Sequence, residues 1–128
     1  MTRVLLLEDS EDVLEVLKIE LEWLGYEVDA VSSGTAALAS AQRTPPDVIV
    51  SDLAMPEMDG IEFIQCVRKT PSLCFVPAIA LTGSGMDRDV QRALAFGFTM
   101  HMMKPIEPAE LVDRIEKLTS GCLQRKAS

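Results

Sequence analysis

The sequence predicts an α/β protein, in which a parallel sheet is covered by helices on both faces. Two observations indicate this fold class. Five short apolar runs of strand length are spread along the 128 residues, and each is followed by a stretch with helical periodicity. Parallel strands joined by helices form right-handed crossover units, which assemble into a layered domain. A chain of this length fits one such domain.

The first two strand–helix units are predicted from apolar patterns and breakers. We predict a buried strand at Val4–Leu7, then a helix with an apolar face at spacings of three and four. The residues that mark this helix face are Val13, Val16, Leu17, Glu20, Leu21 and Leu24, of which all but Glu20 are apolar. Gly25 is expected to end the helix in the left-handed conformation. The second strand is predicted at Tyr26–Val31 and the second helix at Thr35–Arg43, which two following prolines stop.

The remaining three units carry helix-start signals. Asp59 can cap the third helix while Glu62 reaches back to it, and Ser84 with Asp87 repeats this pattern before the fourth helix. Pro108 suits the first turn of the fifth helix. The strands of these units are predicted at Val48–Ser51, Ala78–Leu81 and Phe98–Met103.

The composition is that of an acidic globular protein. Its formal net charge is −8 and its pI is about 4.6, so direct binding to nucleic acid or to an anionic membrane is not expected. No apolar run approaches the roughly 20 residues that cross a bilayer, and no signal peptide follows Met1. The three cysteines lack metal-ligand spacing and are expected to be reduced thiols. These features predict a cytoplasmic protein with cationic or basic partners.

Polar residues follow four of the five predicted strands. Glu8 and Asp9 follow the first strand, Asp52 the third, Thr82 the fourth and Lys104 the fifth. Because ligands of open α/β sheets bind outside the carboxyl ends of the strands, we expect these side chains to meet at one edge. Three carboxylates in one place repel one another unless a cation neutralises them, and oxygen ligands of this kind suit Mg²⁺.

The same groups can form the parts of a phosphoryl-transfer site. Asp52 is the best candidate nucleophile, since it is central to the sheet and a carboxylate can form an aspartyl-phosphate. Glu8 and Asp9 are better placed as metal ligands. Lys104 can neutralise charge on a transferring phosphoryl group, while the Thr82 hydroxyl can donate a hydrogen bond to one of its oxygens.

Four motifs at these strand ends carry a family resemblance. They are Leu7-Glu8-Asp9-Ser10, Asp52-Leu53-Ala54-Met55-Pro56-Glu57-Met58-Asp59-Gly60, Leu81-Thr82-Gly83 and Met103-Lys104-Pro105. Each motif alone is weak evidence for a family. All four together, in this order and at the ends of the proper strands, are specific evidence. The chain resembles a response-regulator receiver domain of two-component signalling over residues 3–120, and is similar to receivers of hybrid histidine kinases. We therefore expect a receiver domain at 1–120 and a polar tail or linker stub at 121–128.

The resemblance implies a flavodoxin-like three-layer αβα fold with five helices and a five-stranded parallel sheet of order 2-1-3-4-5. It also implies that Asp52 is the phosphoacceptor, that Thr82 and Lys104 contact the phosphoryl group, and that the peptide before Pro105 is cis. The implied Mg²⁺ ligands are Glu8, Asp9, Asp52 and the backbone carbonyl of Ala54. Such a domain takes its phosphoryl group from a histidine kinase or histidine phosphotransfer domain and hydrolyses it slowly, so it is not a turnover enzyme.

Thr82 and Lys104 follow the fourth and fifth strands, so we expect phosphorylation to change the fourth helix, fifth strand and fifth helix, where a downstream protein or domain would bind. His101, three residues before Lys104, stands where many receivers have Tyr or Phe as a rotating switch. It is a candidate switch residue, although an exposed residue of an edge strand is the simpler interpretation. Ala54 and Ser84 occupy positions that tune the lifetime of the phosphoryl group in the family.

Three other functions are compatible with the fold class. An FMN carrier needs a Ser/Thr/Gly-rich loop after the first strand, but here that loop is acidic and would repel a phosphate. A Mg²⁺-dependent phosphatase with an Asp nucleophile would resemble Asp-x-Asp enzymes, whose second Asp is replaced here by Ala54. A degenerate receiver used only as a protein-interaction module usually lacks the acceptor, the acidic pair or the lysine, all of which are present.

Overall fold

The computed structural model describes residues 2–55, 58–83 and 87–127. Its strands are β1 (Arg3–Leu7), β2 (Glu27–Val31), β3 (Val48–Asp52), β4 (Ala78–Thr82) and β5 (Met100–Met103). They form one parallel sheet of order β2-β1-β3-β4-β5, which confirms the expected topology. Each strand lies where the sequence predicts it, with ends that differ by one or two residues.

Five helices cover the two faces of this sheet. They are α1 (Glu11–Trp23), α2 (Gly34–Arg43), α3 (Gly60–Lys69), α4 (Asp87–Phe96) and α5 (Pro108–Ala127). Side chains alternate along β1, so Leu5 and Leu7 pack in a core with α2, α3 and α4, whereas Val4 and Leu6 pack in a core with α1 and α5. The three-layer αβα fold is thereby confirmed.

The register of the strands brings their carboxyl ends to one edge of the sheet. Leu7 pairs with Ser51, Asp52 with Leu81, and Thr82 with Met103. Because these strands end nearly level, Glu8, Asp52 and Lys104 emerge side by side. We call this the carboxyl edge, and the opposite edge, where the strands begin, the amino edge.

Close packing at the end of β3 fixes the start of α3. A Cβ atom on Gly60 would lie 2.5 Å from the carbonyl oxygen of Asp52, so only glycine allows this approach. Asp59 Oδ1 accepts a hydrogen bond from the Glu62 backbone N–H at 2.8 Å, which confirms Asp59 as the N-cap. Gly25 has a φ of +99°, as expected for the residue that ends α1. The cap predicted at Ser84 and Asp87 lies outside the described residues and side chains.

The predicted apolar face of α1 is partly wrong. Its packed residues are Leu14, Leu17 and Leu21. Val13, Val16 and Leu24, which the sequence pattern assigned to the same face, are 40%, 53% and 53% exposed. Apolar residues surround more than half of this helix, so periodicity alone does not identify the stripe that faces the sheet.

The last helix is longer than its apolar pattern indicates. The backbone of α5 is helical through Ala127. Gly121 does not end the helix, since a single glycine inside a helix costs only about 1 kcal/mol. The assignment of 121–128 as a tail or linker stub stays a prediction. Among the described residues, no helix combines the length and apolar character needed to span a membrane.

Candidate functional site

Asp52 lies at the centre of the carboxyl edge, as the last residue of β3. Its side chain is only 5% exposed. Oδ1 accepts a hydrogen bond from the backbone N–H of Ala54 at 3.3 Å, and Oδ2 accepts one from Lys104 Nζ at 2.9 Å. These contacts hold the carboxylate at the edge of the sheet with its charge partly compensated.

Glu8 is the most buried carboxylate of the edge, with a side chain that is 0% exposed. Its Oε2 accepts a hydrogen bond from the Ser10 backbone N–H at 3.1 Å. Its Oε1 lies 2.9 Å from Lys104 Nζ, with which it forms an ion pair. Burial raises the pKa of Glu8 above its usual value, although Lys104 opposes this effect. Glu8 is therefore a fully buried carboxylate whose charge is offset, among the described residues, by Lys104 and one backbone N–H.

Lys104 bridges the two buried carboxylates. The Nζ atom lies 2.9 Å from both Glu8 Oε1 and Asp52 Oδ2. Burial lowers the pKa of this ammonium group, but the attraction of the two carboxylates is larger and raises it overall. Lys104 is consequently charged at neutral pH. The peptide bond between Lys104 and Pro105 is cis, as the resemblance implies.

Three carboxylates cluster at this edge with an excess of negative charge. Glu8, Asp9 and Asp52 each offer an oxygen, and these atoms all lie within 4.8 Å of one another. Asp9 is exposed, so the cluster is open to solvent on one side. Lys104 offsets one of the three charges. An all-oxygen donor set with solvent access is the kind that Mg²⁺ prefers, so the residues present fit that ion.

A cavity of about 410 Å³ opens beside Asp52. Its lining includes Asp52, Ala54, Asp59, Thr82, Gly83 and Arg92. Thr82 is buried at the end of β4, where its hydroxyl donates a long hydrogen bond of 3.4 Å to the Met102 carbonyl oxygen. Ala54 and Gly83 contribute little side-chain volume, so the cavity reaches the Asp52 carboxylate.

The structure therefore brings together the predicted site residues Glu8, Asp9, Asp52 and Lys104, with Thr82 and Ala54 on the adjoining cavity wall. His101 is exposed on β5 and is not among the residues that line the cavity.

Sequence reasoning missed Arg92. It lies forty positions after Asp52 in no recognisable motif, so only the packing of α4 against the sheet brings it to the cavity.

Residues 4–116 match the family of the response regulator receiver domain. An uncharacterised 14.6 kDa protein of the sodA1 3′ region of Leptolyngbya boryana is 39% identical over 114 residues, covering 89% of this chain and 87% of that protein. The alkaline phosphatase synthesis transcriptional regulatory protein PhoP of Bacillus subtilis is 34% identical over 116 residues, covering 91% of this chain. The matched segment is 48% of PhoP, so this chain spans about half the length of that relative.

Solved structures of similar sequence have the same fold. The chemotaxis protein CheY4 of Vibrio cholerae is 35% identical with a TM-score of 0.88, covering 92% of this chain and 98% of that one. The signal receiver domain of a signal transduction histidine kinase from Syntrophus aciditrophicus is 36% identical with a TM-score of 0.86, covering 94% and 92%.

Proposed function

Because this chain belongs to the response regulator receiver domain family, we propose that it accepts a phosphoryl group on Asp52 in a Mg²⁺-dependent reaction. One observation carries the proposal: a buried carboxylate at the end of β3 lies 2.9 Å from Lys104 and within 4.8 Å of the two acidic side chains after β1. A site with this composition can attract a divalent cation and then a phosphoryl group. All the parts of the acceptor are present, so a degenerate receiver that acts only as an interaction module is not favoured.

The proposed metal ligands are Glu8, Asp9, Asp52 and the backbone carbonyl of Ala54. Bound Mg²⁺ would neutralise negative charge on the acceptor and on the phosphoryl oxygens. The burial of Glu8 supports this assignment, because the three clustered carboxylates carry more negative charge than Lys104 alone offsets.

The transfer itself would be a displacement at phosphorus. A carboxylate oxygen of Asp52 attacks the phosphorus atom, the bond to the donor's leaving atom breaks, and that atom keeps the electron pair. Lys104 Nζ, already beside Oδ2, would pair with a phosphoryl oxygen. Thr82 would exchange its long hydrogen bond to Met102 for one to a second phosphoryl oxygen. The aspartyl-phosphate would later hydrolyse slowly, without turnover of external substrates.

The phosphoryl donor would be a histidine kinase or a histidine phosphotransfer domain in the cytoplasm. α1 begins three residues after Glu8, at the carboxyl edge, and leaves the apolar side chains Val13, Val16, Ile19 and Trp23 exposed. Acidic residues surround this surface, with Lys18 as the one basic residue of the helix. A donor helix with apolar residues flanked by basic ones would fit it.

The α1 surface has a direct test. Val16→Asn should slow transfer from a histidine-phosphorylated protein donor while labelling by acetyl phosphate stays unchanged. Equal rates with the protein donor in wild type and variant would remove α1 from the donor contact.

The proposed output surface is formed by α4, β5 and α5, next to Thr82 and Lys104. Leu94, His101 and Met103 are exposed there and could be read by a downstream protein. We expect beryllofluoride, a phosphoryl mimic, to shift amide signals in residues 82–106 far more than in residues 35–43 of α2. Coupling of this kind is typically about 1–3 kcal/mol. Uniform shifts along the chain would contradict this choice of surface.

The acceptor assignment is tested by intact mass after incubation with acetyl phosphate, with and without Mg²⁺. Wild type should gain one phosphoryl group only with Mg²⁺, and Asp52→Asn should gain none. Asp12→Asn, which removes an exposed carboxylate near the same edge, is the matched control and should be labelled normally. Labelling of Asp52→Asn to the wild-type level would place the acceptor elsewhere.

A further inference from the structure

The cavity beside Asp52 is larger than a phosphoryl group requires. A volume of about 410 Å³ lies in the range of small-molecule sites, whereas the phosphoryl group would occupy only the part next to Asp52, Thr82 and Gly83. The rest extends between the start of α3, marked by Asp59 and Ile61, and the side of α4. In an in-line displacement the leaving group departs on the side of phosphorus opposite the nucleophile. The cavity thus has room for a leaving group as well as for the phosphoryl group.

Arg92 supplies the positive charge in this outer part. It is the one cation among the described residues that line the cavity. Lys104, which pairs with Glu8 and Asp52, is not part of that lining. The other charges on the lining are the carboxylates of Asp52 and Asp59, and Asp59 Oδ1 is engaged in capping α3. A guanidinium group binds a carboxylate through two parallel hydrogen bonds, which a lysine does not reproduce.

We propose that Arg92 is a specificity-determining residue for the phosphoryl donor, which binds the carboxylate leaving group when the donor is an acyl phosphate. The inference rests on the proposed function of Asp52 as acceptor. An Asp52 oxygen forms a bond to phosphorus, the bond between phosphorus and the acyl oxygen breaks, and the electron pair leaves with the acyl group as a carboxylate anion. Arg92 stabilises that developing anion in the outer cavity.

Two donors with different leaving groups distinguish binding of the leaving group by Arg92 from an effect of Arg92 on the phosphoryl group or on the fold. Acetyl phosphate releases acetate, an anion, whereas phosphoramidate releases neutral ammonia. Initial rates of Asp52 labelling are measured by intact mass in saturating Mg²⁺ for wild type, Arg92→Gln, Arg92→Lys and Arg43→Gln. Arg43 is exposed in the last turn of α2 and gives the same change of charge away from the cavity. Arg92 is exposed too, so its variants should fold, and melting temperatures check this.

Arg92→Gln should lower the rate with acetyl phosphate about tenfold, as expected for loss of one charge-assisted pair, and leave the rate with phosphoramidate unchanged or higher. With acetyl phosphate, the rate of Arg92→Lys should lie between those of wild type and Arg92→Gln, and the rate of Arg43→Gln should match wild type. Equal losses with both donors would overturn the proposal, because Arg92 would then act on the phosphoryl group or on the fold. Unchanged rates with both donors would overturn it as well. If neither donor labels wild type, the acceptor function itself fails.

Discussion

At each end of β1 one cation lies among three carboxylates, but the two groups of charges differ in how deeply they are buried. At the amino edge the cation is Arg3. Its guanidinium pairs with Glu27 at 3.1 Å and Asp29 at 2.6 Å, and its backbone N–H donates to Asp47 at 2.8 Å. The Glu27 and Asp29 side chains are 53% and 30% exposed, so water screens the cluster. The hydrogen bond to Asp29 raises the pKa of Arg3.

At the carboxyl edge the cation is Lys104, and its partners Glu8 and Asp52 are almost fully buried. There, desolvation raises the pKa of Glu8, whose side chain is 0% exposed. The same inventory of charges therefore gives a partly exposed ionic contact between β1 and β2 at one edge and a buried group of charges at the other. The two edges thus differ in the burial of their charges and not in the number of charges.

The largest expected contrast between the edges is in chemistry. Lys104→Met should lower the initial rate of Asp52 phosphorylation by acetyl phosphate at least about 100-fold, because it removes a positioned cation from the developing charge. Arg3→Met, its counterpart at the amino edge, should leave the rate within about twofold of wild type. Time courses of intact mass in saturating Mg²⁺ measure both. Similar losses of rate in the two variants would show that the two edges do not differ in their contribution to phosphorylation.

Magnesium should distinguish the edges in stability. Mg²⁺ at about 100 times its Kd should raise the free energy of unfolding of wild type by about 2.7 kcal/mol, since it binds the folded state. At the same Mg²⁺ concentration the free energy of unfolding of Asp9→Asn should rise much less. Asp29→Asn, an equivalent change at the amino edge, should keep the full gain. Urea denaturation with and without Mg²⁺ provides the measurement, and equal gains in wild type and Asp9→Asn would exclude Asp9 from the site.

A smaller effect is expected for the pH dependence of stability in EDTA. The pKa of Glu8 is raised in the folded state, so its favourable contribution is complete below the ordinary value of 4.5 and is lost as pH rises through the folded-state pKa. Glu8→Gln lacks this loss. Its free energy of unfolding relative to wild type should therefore increase between pH 4 and pH 7.

Excess Mg²⁺ provides the control for that experiment. With the ion present, the ionised Glu8 of wild type is a ligand, so the advantage of Glu8→Gln at pH 7 should disappear. A difference between the two proteins that is independent of pH in EDTA would show that burial does not disfavour the Glu8 charge.

The smallest effect is expected at the amino edge. Arg3→Met should lower the free energy of unfolding by only about 0.5–1 kcal/mol, because partly exposed ion pairs contribute little. The loss should shrink in 1 M NaCl, where the Debye length is about 3 Å. Denaturation at low and high salt measures it. A loss of several kcal/mol that salt does not change would mean that this cluster is effectively buried, like the carboxylates of the carboxyl edge.

The sequence by itself determined the α/β class, the positions of the strands and the polar residues that follow them. Alternation of apolar runs with helical periods is a local property, and residues after parallel strands must emerge at one edge. The strand order came from the resemblance of four motifs, and the sheet confirms it. Caps and breakers such as Asp59 and Gly25 were also predictable, because each acts on its own neighbours.

Only the tertiary structure decided which of these residues are buried and what they meet. Glu8 and Asp9 are adjacent in sequence, yet the first is fully buried and the second exposed, since neighbouring residues at a strand end face different surroundings. The packed stripe of α1 was set by contact with the sheet, and Val13 and Val16 were left outside it. Arg92 reached the cavity through the placement of α4. Burial and long-range contacts depend on how distant segments pack together, and no local pattern contains that information.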